Sequence, residues 1–211
     1  MNFIKTAIFI LFTVSIFAWC AEEETLWESC DDLTKLAPSY GQKAWSPNAF
    51  KGTEIGRMDV CTEEKIEGKG SIRWVVTKQD VDDKLKEDPK FSQAMINFLY
   101  GQNFEPYIEV RFHIKCENPK HPSVGAMLLG GKPASIPILA RDEVTKGWKE
   151  IKWNLKGVDI GRSEKWGYIM NYFRIFTSAG SFLEGDALDF HIDNMRLVTN
   201  EPEDVTSSSN E

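Results

Sequence analysis

The sequence predicts an all-β protein, an antiparallel β-sandwich of the jelly-roll kind with one short amphipathic helix, and two observations carry that prediction. From Tyr107 to Cys116 the segment YIEVRFHIKC alternates without a break. Ile108, Val110, Phe112, Ile114 and Cys116 fall on one face, and Tyr107, Glu109, Arg111, His113 and Lys115 on the other. Successive side chains of a strand point to opposite sides, so this is a strand with one face in a core and one in water. The same period of two recurs along the chain, and Gly, Pro and Asn breaks separate the runs, which is the pattern of antiparallel β-structure.

The elements follow in order. Lys5 supplies a positive start, Thr6 to Ala18 is an apolar run, and Ala18-Trp19-Cys20 places small residues at the −3 and −1 positions of a cleavage site. The run is shorter than the ~20 residues of a spanning helix, so residues 1–20 read as a signal peptide and the protein as exported to a secreted, periplasmic or extracellular location. Trp19 before Cys20 argues against lipidation of that cysteine, because the processing site for an acylated Cys is tight. The folded domain is expected over residues 25–199. Strands are predicted at Thr25–Cys30, Met58–Thr62, Ser71–Thr77, Tyr107–Cys116, Ala126–Leu129, Ile136–Ala140, Lys149–Leu155, Tyr172–Thr177 and Leu188–Val198, with Gly130-Gly131 as a turn. The helix is predicted where Asp88 offers an N-cap, Pro89 a first helical position, and Phe91, Met95, Phe98 and Leu99 recur at helical spacing before Gly101. Residues 200–211, acidic and Ser-rich, are expected to form a disordered tail.

Composition narrows the function. The 211 residues carry 25 Lys and Arg against 32 Asp and Glu, a net charge of −7, which is the wrong sign for a duplex nucleic-acid binder. Cys30, Cys61 and Cys116 remain after cleavage at Cys20. In an oxidising compartment two of them can pair, and Cys30 with Cys61 is the expected pair because their segments are close in sequence; three buried thiols are the alternative. The three histidines form no HExxH pair. Ser71 in GKGSIRW has no glycine two residues later and leads into a strand, so it is no nucleophile elbow, and the same glycines open no helix that would hold a phosphate. No catalytic residue is assigned. Carboxylates for a glycosidase exist at Glu109, Glu150, Asp189 and Asp193, the last two on one strand face.

Four stretches, LWESCDDLTKL (26–36), EGKGSIRW (67–74), GWKEIKWNLKG (147–157) and DFHIDNMRLV (189–198), occur in an order and spacing that resemble a carbohydrate-binding module of the galactose-binding-like jelly-roll type. The resemblance implies a non-catalytic domain that binds a polysaccharide or oligosaccharide; the signal peptide adds secretion, the charge balance adds no nucleic-acid partner, the lack of a second apolar run adds no membrane association after signal cleavage, and the expected state is a monomer. The resemblance also implies a structural Ca²⁺ where the first and last strands meet, with Glu28 and Asp193 as its acidic ligands; both acids capping loops or facing water is the alternative. The competing functions are a small jelly-roll glycoside hydrolase or polysaccharide lyase, and a structural protein-interaction module.

Sugar recognition takes aromatic rings for the C–H faces and fixed polar groups for the hydroxyls. Trp27, Trp74, Trp148 and Trp153 sit in strand patterns and are read as core, whereas Trp45, Trp166 and Tyr168 read as loop-borne rings able to form a platform. The second candidate surface is the row Tyr107, Glu109, Arg111 and His113, which floors a cleft if its sheet is concave and is an ordinary solvated face if it is convex. The resemblance implies the cleft. Arg73 and Arg174 are additional donors on other strands.

Overall fold

A computed structural model describes residues 22–35, 44–46, 55–104, 106–130, 132–158 and 169–200. Their strands are β1 (Glu22–Glu28), β2 (Trp45–Ser46), β3 (Arg57–Cys61), β4 (Ser71–Thr77), β5 (Gln93–Asn103), β6 (Tyr107–Lys115), β7 (Val124–Leu129), β8 (Pro133–Leu139), β9 (Lys149–Asn154), β10 (Ile169–Ser178) and β11 (Ala187–Asn200), with helix α1 (Lys78–Glu87) between β4 and β5. One sheet has the order β3-β4-β11-β6-β9, with β1 alongside the C-terminal half of β11, and the other has the order β2-β5-β10-β7-β8. The pairings are antiparallel throughout. No helix among the described residues is long and apolar enough to cross a membrane.

Alternation produces this arrangement directly. Ile72, Ile192 and Ile114 are register partners across β4, β11 and β6, and all three are fully buried. The second sheet answers with Ala94, Ile96 and Phe98 on β5 and Phe173 and Ile175 on β10. Aromatic edges lock the two layers together. Trp27 meets Phe98, Phe104 and Phe173 edge-on at centroid distances of 5.3, 5.4 and 5.9 Å, and Phe112 on β6 meets Phe173 at 5.3 Å. Each such pair adds about 0.5–1.5 kcal/mol to the burial of its rings.

The single α-helix is not where the spacing placed it. Phe91, Met95, Phe98 and Leu99 lie on or just before β5, and Asp88 is the C-cap of α1 rather than an N-cap. The segment satisfies both periods, and Ala94, Ile96 and Phe98 on a central strand bury more apolar surface than a helix at the sandwich edge would. The real helix, KQDVDDKLKE, buries Val81 and little else, so it carries almost no apolar stripe to recognise. It starts for a local reason: the Thr77 hydroxyl accepts from the Asp80 N–H and the Asp80 carboxylate accepts from the Thr77 N–H, a capping box. Thr77→Ala is expected to cost about 1 kcal/mol. In a domain of this size that is a fall of roughly 3 °C in melting temperature, measurable by circular dichroism.

The cysteine pairing also differs from expectation. Cys30, Cys61 and Cys116 are all free thiols, with Cys30 and Cys116 buried. Cys61 ends β3 opposite Ser71, while Cys30 lies past the end of β1 with a left-handed φ of 61° and donates its N–H to Glu28.

Candidate functional site

The outer face of the five-stranded sheet is built by register. Three rows cross it. The middle row pairs Asn97 of β5 with Arg174 of β10, and Arg174 in turn with Met127 of β7 and Met127 with Ser135 of β8. One row up, Tyr172 lies between Leu99 and Leu129; one row down, Phe176 lies between Met95 and Gly125. Because β10 alternates, Phe173 and Ile175 fill the core while Tyr172, Arg174 and Phe176 stand on the opposite side. Gly125 is required there: a Cβ at this position would come within 2.8 Å of the Phe176 ring, so the glycine makes the seat for that ring. Beside it a concavity of about 260 Å³ is lined by Phe176, Pro137, Ser135 and Ser178.

The polar centre of this face is unusual in what it lacks. Arg174 is 7 % exposed, donates from Nε to Asn97 Oδ1 at 2.8 Å, and lies 5.3 Å from the centroid of the Tyr172 ring. Burial lowers its pKa, since removing water disfavours the charged guanidinium. Asn97 is fully buried, and its Nδ2 has no hydrogen-bond partner among the described residues. Rings, methionines, a buried cation and a buried orphan donor thus share one side of the sheet.

The row read from the sequence lies on the other sheet. Tyr107, Glu109, Arg111 and His113 do line one face of β6, but their charges are spent within the chain: Arg111 pairs with both Glu109 and Glu24, the latter on β1. Tyr107 packs edge-on against Phe104 at 5.7 Å, and the Nδ1 atom of His113 is buried without a partner among the described residues. Arg73 holds Asp189 through two bonds of 2.7 and 2.5 Å, which keeps that carboxyl below the usual range. A concavity of about 270 Å³ on this face is lined by Glu64, Lys115, Glu117, Asn118, Asp189 and His191, with Lys115 paired to Glu64 at 2.7 Å and Glu117 at 3.2 Å. Of the four carboxylates considered for glycosidase chemistry, Glu150 pairs with Lys152 at 3.3 Å and Asp193 accepts only backbone N–H groups.

Trp45 corrects the platform reading. It is 1 % exposed, on β2, its ring 5.1 Å from Phe98, so it belongs to the core and offers no surface to a sugar. An SPN sequence after it suggested a loop, but two residues of strand pairing with β5 suffice to turn the ring inward. Trp166 and Tyr168 lie outside the described residues.

Glu28 and Asp193 are both buried at the seam between β1 and β11, and both push up the pKa of the Cys30 thiol after the larger effect of its burial. The groups around them are donors. Glu28 Oε1 accepts the Cys30 N–H at 3.0 Å and Oε2 accepts the Lys35 ammonium at 2.6 Å. Asp193 Oδ2 accepts from Ile66 at 2.6 Å and Glu67 at 3.4 Å, and Oδ1 from Asn194 at 2.6 Å. Calcium takes six to eight oxygens. Among the described residues no three His, Cys, Asp or Glu side chains converge on one point, and Lys35 already neutralises Glu28, so this arrangement does not fit the ion.

Tyr172, Phe176, Asn97 and Met127 were not singled out from the sequence. The available signal was the β10 run Tyr172-Phe-Arg-Ile-Phe176, which is apolar or aromatic on both sides. A strand with only one buried side should not be.

A two-sheet antiparallel sandwich with an aromatic, donor-bearing outer face is the class these features define. No family model matches the chain, and no curated protein matches it. Solved structures do resemble it. An exo-β-agarase structure gives a TM-score of 0.53 at 12 % identity, over 85 % of this chain and 25 % of that one. A carbohydrate-binding module specific for non-crystalline cellulose, CBM28, gives 0.49 at 11 % identity over 80 % and 96 % of the two chains. The family 11 carbohydrate-binding module of the cellulosomal cellulase Lic26A-Cel5E of Clostridium thermocellum gives 0.48 at 9 % identity over 85 % and 96 %. Solved structures that resemble the chain thus include carbohydrate-binding modules, while the β-sandwich fold itself is read from the strand pairing.

Proposed function

We propose that this chain is a secreted, non-catalytic carbohydrate-binding domain that holds a glycan chain on the outer face of its five-stranded sheet. One observation carries the reading: the half-buried rings of Tyr172 and Phe176 stand on the outer side of β10 around the buried Arg174 and Asn97, giving rings for sugar C–H faces with a polar centre between them. The solved carbohydrate-binding modules of like fold support it, as does the N-terminal signal-peptide pattern for export. A non-catalytic role agrees with the pairing of Glu109, Glu150 and Asp189 to basic side chains within the chain.

Affinity electrophoresis of the purified chain on a panel of soluble glycans tests this. At least one glycan is expected to retard it, with no reducing ends or unsaturated products released. Tyr172→Ala is expected to weaken that retention about tenfold, roughly 1.4 kcal/mol, with the melting curve nearly unchanged. Tyr107→Ala should leave retention as it was. Retention lost through Tyr107 and not Tyr172 would move the site to the other sheet, and no retention by any glycan would refute the reading.

A further inference from the structure

The donors at the centre of this face ask for more than a neutral sugar. Each of the other described arginines has a carboxylate partner: Arg57 has Asp59, Arg73 has Asp189, Arg111 has Glu24 and Glu109, Arg141 has Asp186, and Arg196 has Glu67. Arg174 is more buried than any of them and has none among the described residues; its contacts there are the Asn97 Oδ1 acceptor and the Tyr172 side chain. A desolvated guanidinium without a counter-charge costs stability, and a chain that pairs its more exposed arginines with carboxylates leaves this buried one, just beneath the face read as its ligand site, without one among the described residues. The second observation is independent of charge. Asn97 Nδ2 is buried and donates to nothing, although the same side chain is fixed through its Oδ1 by Arg174. Both groups present N–H.

We infer that the Arg174–Asn97 centre receives an anionic oxygen group, a carboxylate or a sulfate ester, carried on a saccharide; this rests on reading the face as the glycan site. A sugar hydroxyl satisfies the Asn97 amide and leaves the guanidinium without a counter-charge. An oxyanion satisfies both, because its oxygens accept from the guanidinium fork and from the amide at once, in charge-assisted bonds that the surrounding Met127, Tyr172 and Phe176 strengthen by excluding water. The net charge of −7 does not draw polyanions to the molecule as a whole, so selectivity has to come from this local contact and not from long-range attraction.

The test uses the full chain in affinity electrophoresis against pairs of glycans that differ in charge alone: polygalacturonate with its methyl ester, glucuronoxylan with its carboxyl-reduced form, and a sulfated galactan with its desulfated form. Retention by the charged member of at least one pair is expected to exceed that by its neutral partner tenfold or more; the pair that responds tells carboxylate from sulfate. Asn97→Asp is the decisive variant. It keeps the acceptor for Arg174 Nε, removes the orphan donor and supplies the missing carboxylate from within. Charge preference should vanish in it while the melting temperature holds or rises. Arg174→Gln should lose the same preference, and if that variant unfolds, Asn97→Asp still decides. Equal retention of charged and neutral partners, or a preference that survives Asn97→Asp, overturns the inference and leaves the glycan reading standing. No retention by any glycan overturns both.

Discussion

Phe98→Ala is expected to lower the free energy of unfolding by about 3–5 kcal/mol, the range for removing a large aromatic ring from a closed core. Phe98 is fully buried on β5, between Trp27 at 5.3 Å and Trp45 at 5.1 Å. Neither tryptophan can fill the space. Trp27 is fixed by Phe104 and Phe173 as well, and the Trp45 backbone is paired to Phe98 itself across β2 and β5. The cavity therefore persists, and its cost adds to the lost transfer free energy. Urea denaturation reads the effect as a fall in midpoint at unchanged slope. A loss below about 1 kcal/mol would mean that the rings collapse into the gap. The result bears on function too, because Phe98 follows Asn97 on the same strand and points inward while Asn97 points to the ligand face. Phe98→Leu, which keeps most of the volume, should retain glycan on the gel when Phe98→Ala does not.

Much of the six-stranded sheet was legible in the sequence, and for a physical reason. β4, β6 and β11 each have one side of large apolar residues in the core and a more polar opposite side, so their alternation is plain in the residues themselves. The site was harder to see. On β10 both sides carry large apolar or aromatic groups, so period two weakens where the ligand face is formed, and Arg174 stood out only as one basic residue in a strand. Charge was misleading for the complementary reason. The Tyr107 row looked furnished for hydrogen bonding because one of the two carboxylates that spend Arg111, Glu24, is 87 residues away. Pairing at that distance is fixed by β1 and β6 both flanking β11, which no local pattern encodes. Trp45 shows the same limit: its environment is set by a two-residue pairing with β5, too short to leave a periodic trace.

The second large effect is expected at Asp193. This fully buried carboxylate accepts the N–H groups of Ile66, Glu67 and Asn194, and so ties the turn before β4 to the point where Asn194 takes a left-handed φ of 50°. Asp193→Ala would strand donors that water reaches poorly, at a cost on the order of 3 kcal/mol. Asp193→Asn, which keeps one oxygen acceptor, should cost less. The pair also carries a pH signature. Burial raises the Asp193 pKa, with the nearby Asp31 charge adding to it, and this outweighs the N–H groups that favour the ionised form. A folded pKa above the unfolded one means that the carboxyl contributes stability fully present below the ordinary aspartate range and lost as pH rises through the raised value. Asp189 runs the other way: with its pKa held down first by the hydrogen bonds from Arg73, it contributes stability that is lost as pH falls. Subtracting the Asp193→Asn curve from the wild-type curve cancels Asp189 and every other shared titration. The difference should shrink as pH climbs out of the ordinary aspartate range, and a difference that grows instead would show that the N–H groups, not burial, govern this carboxylate.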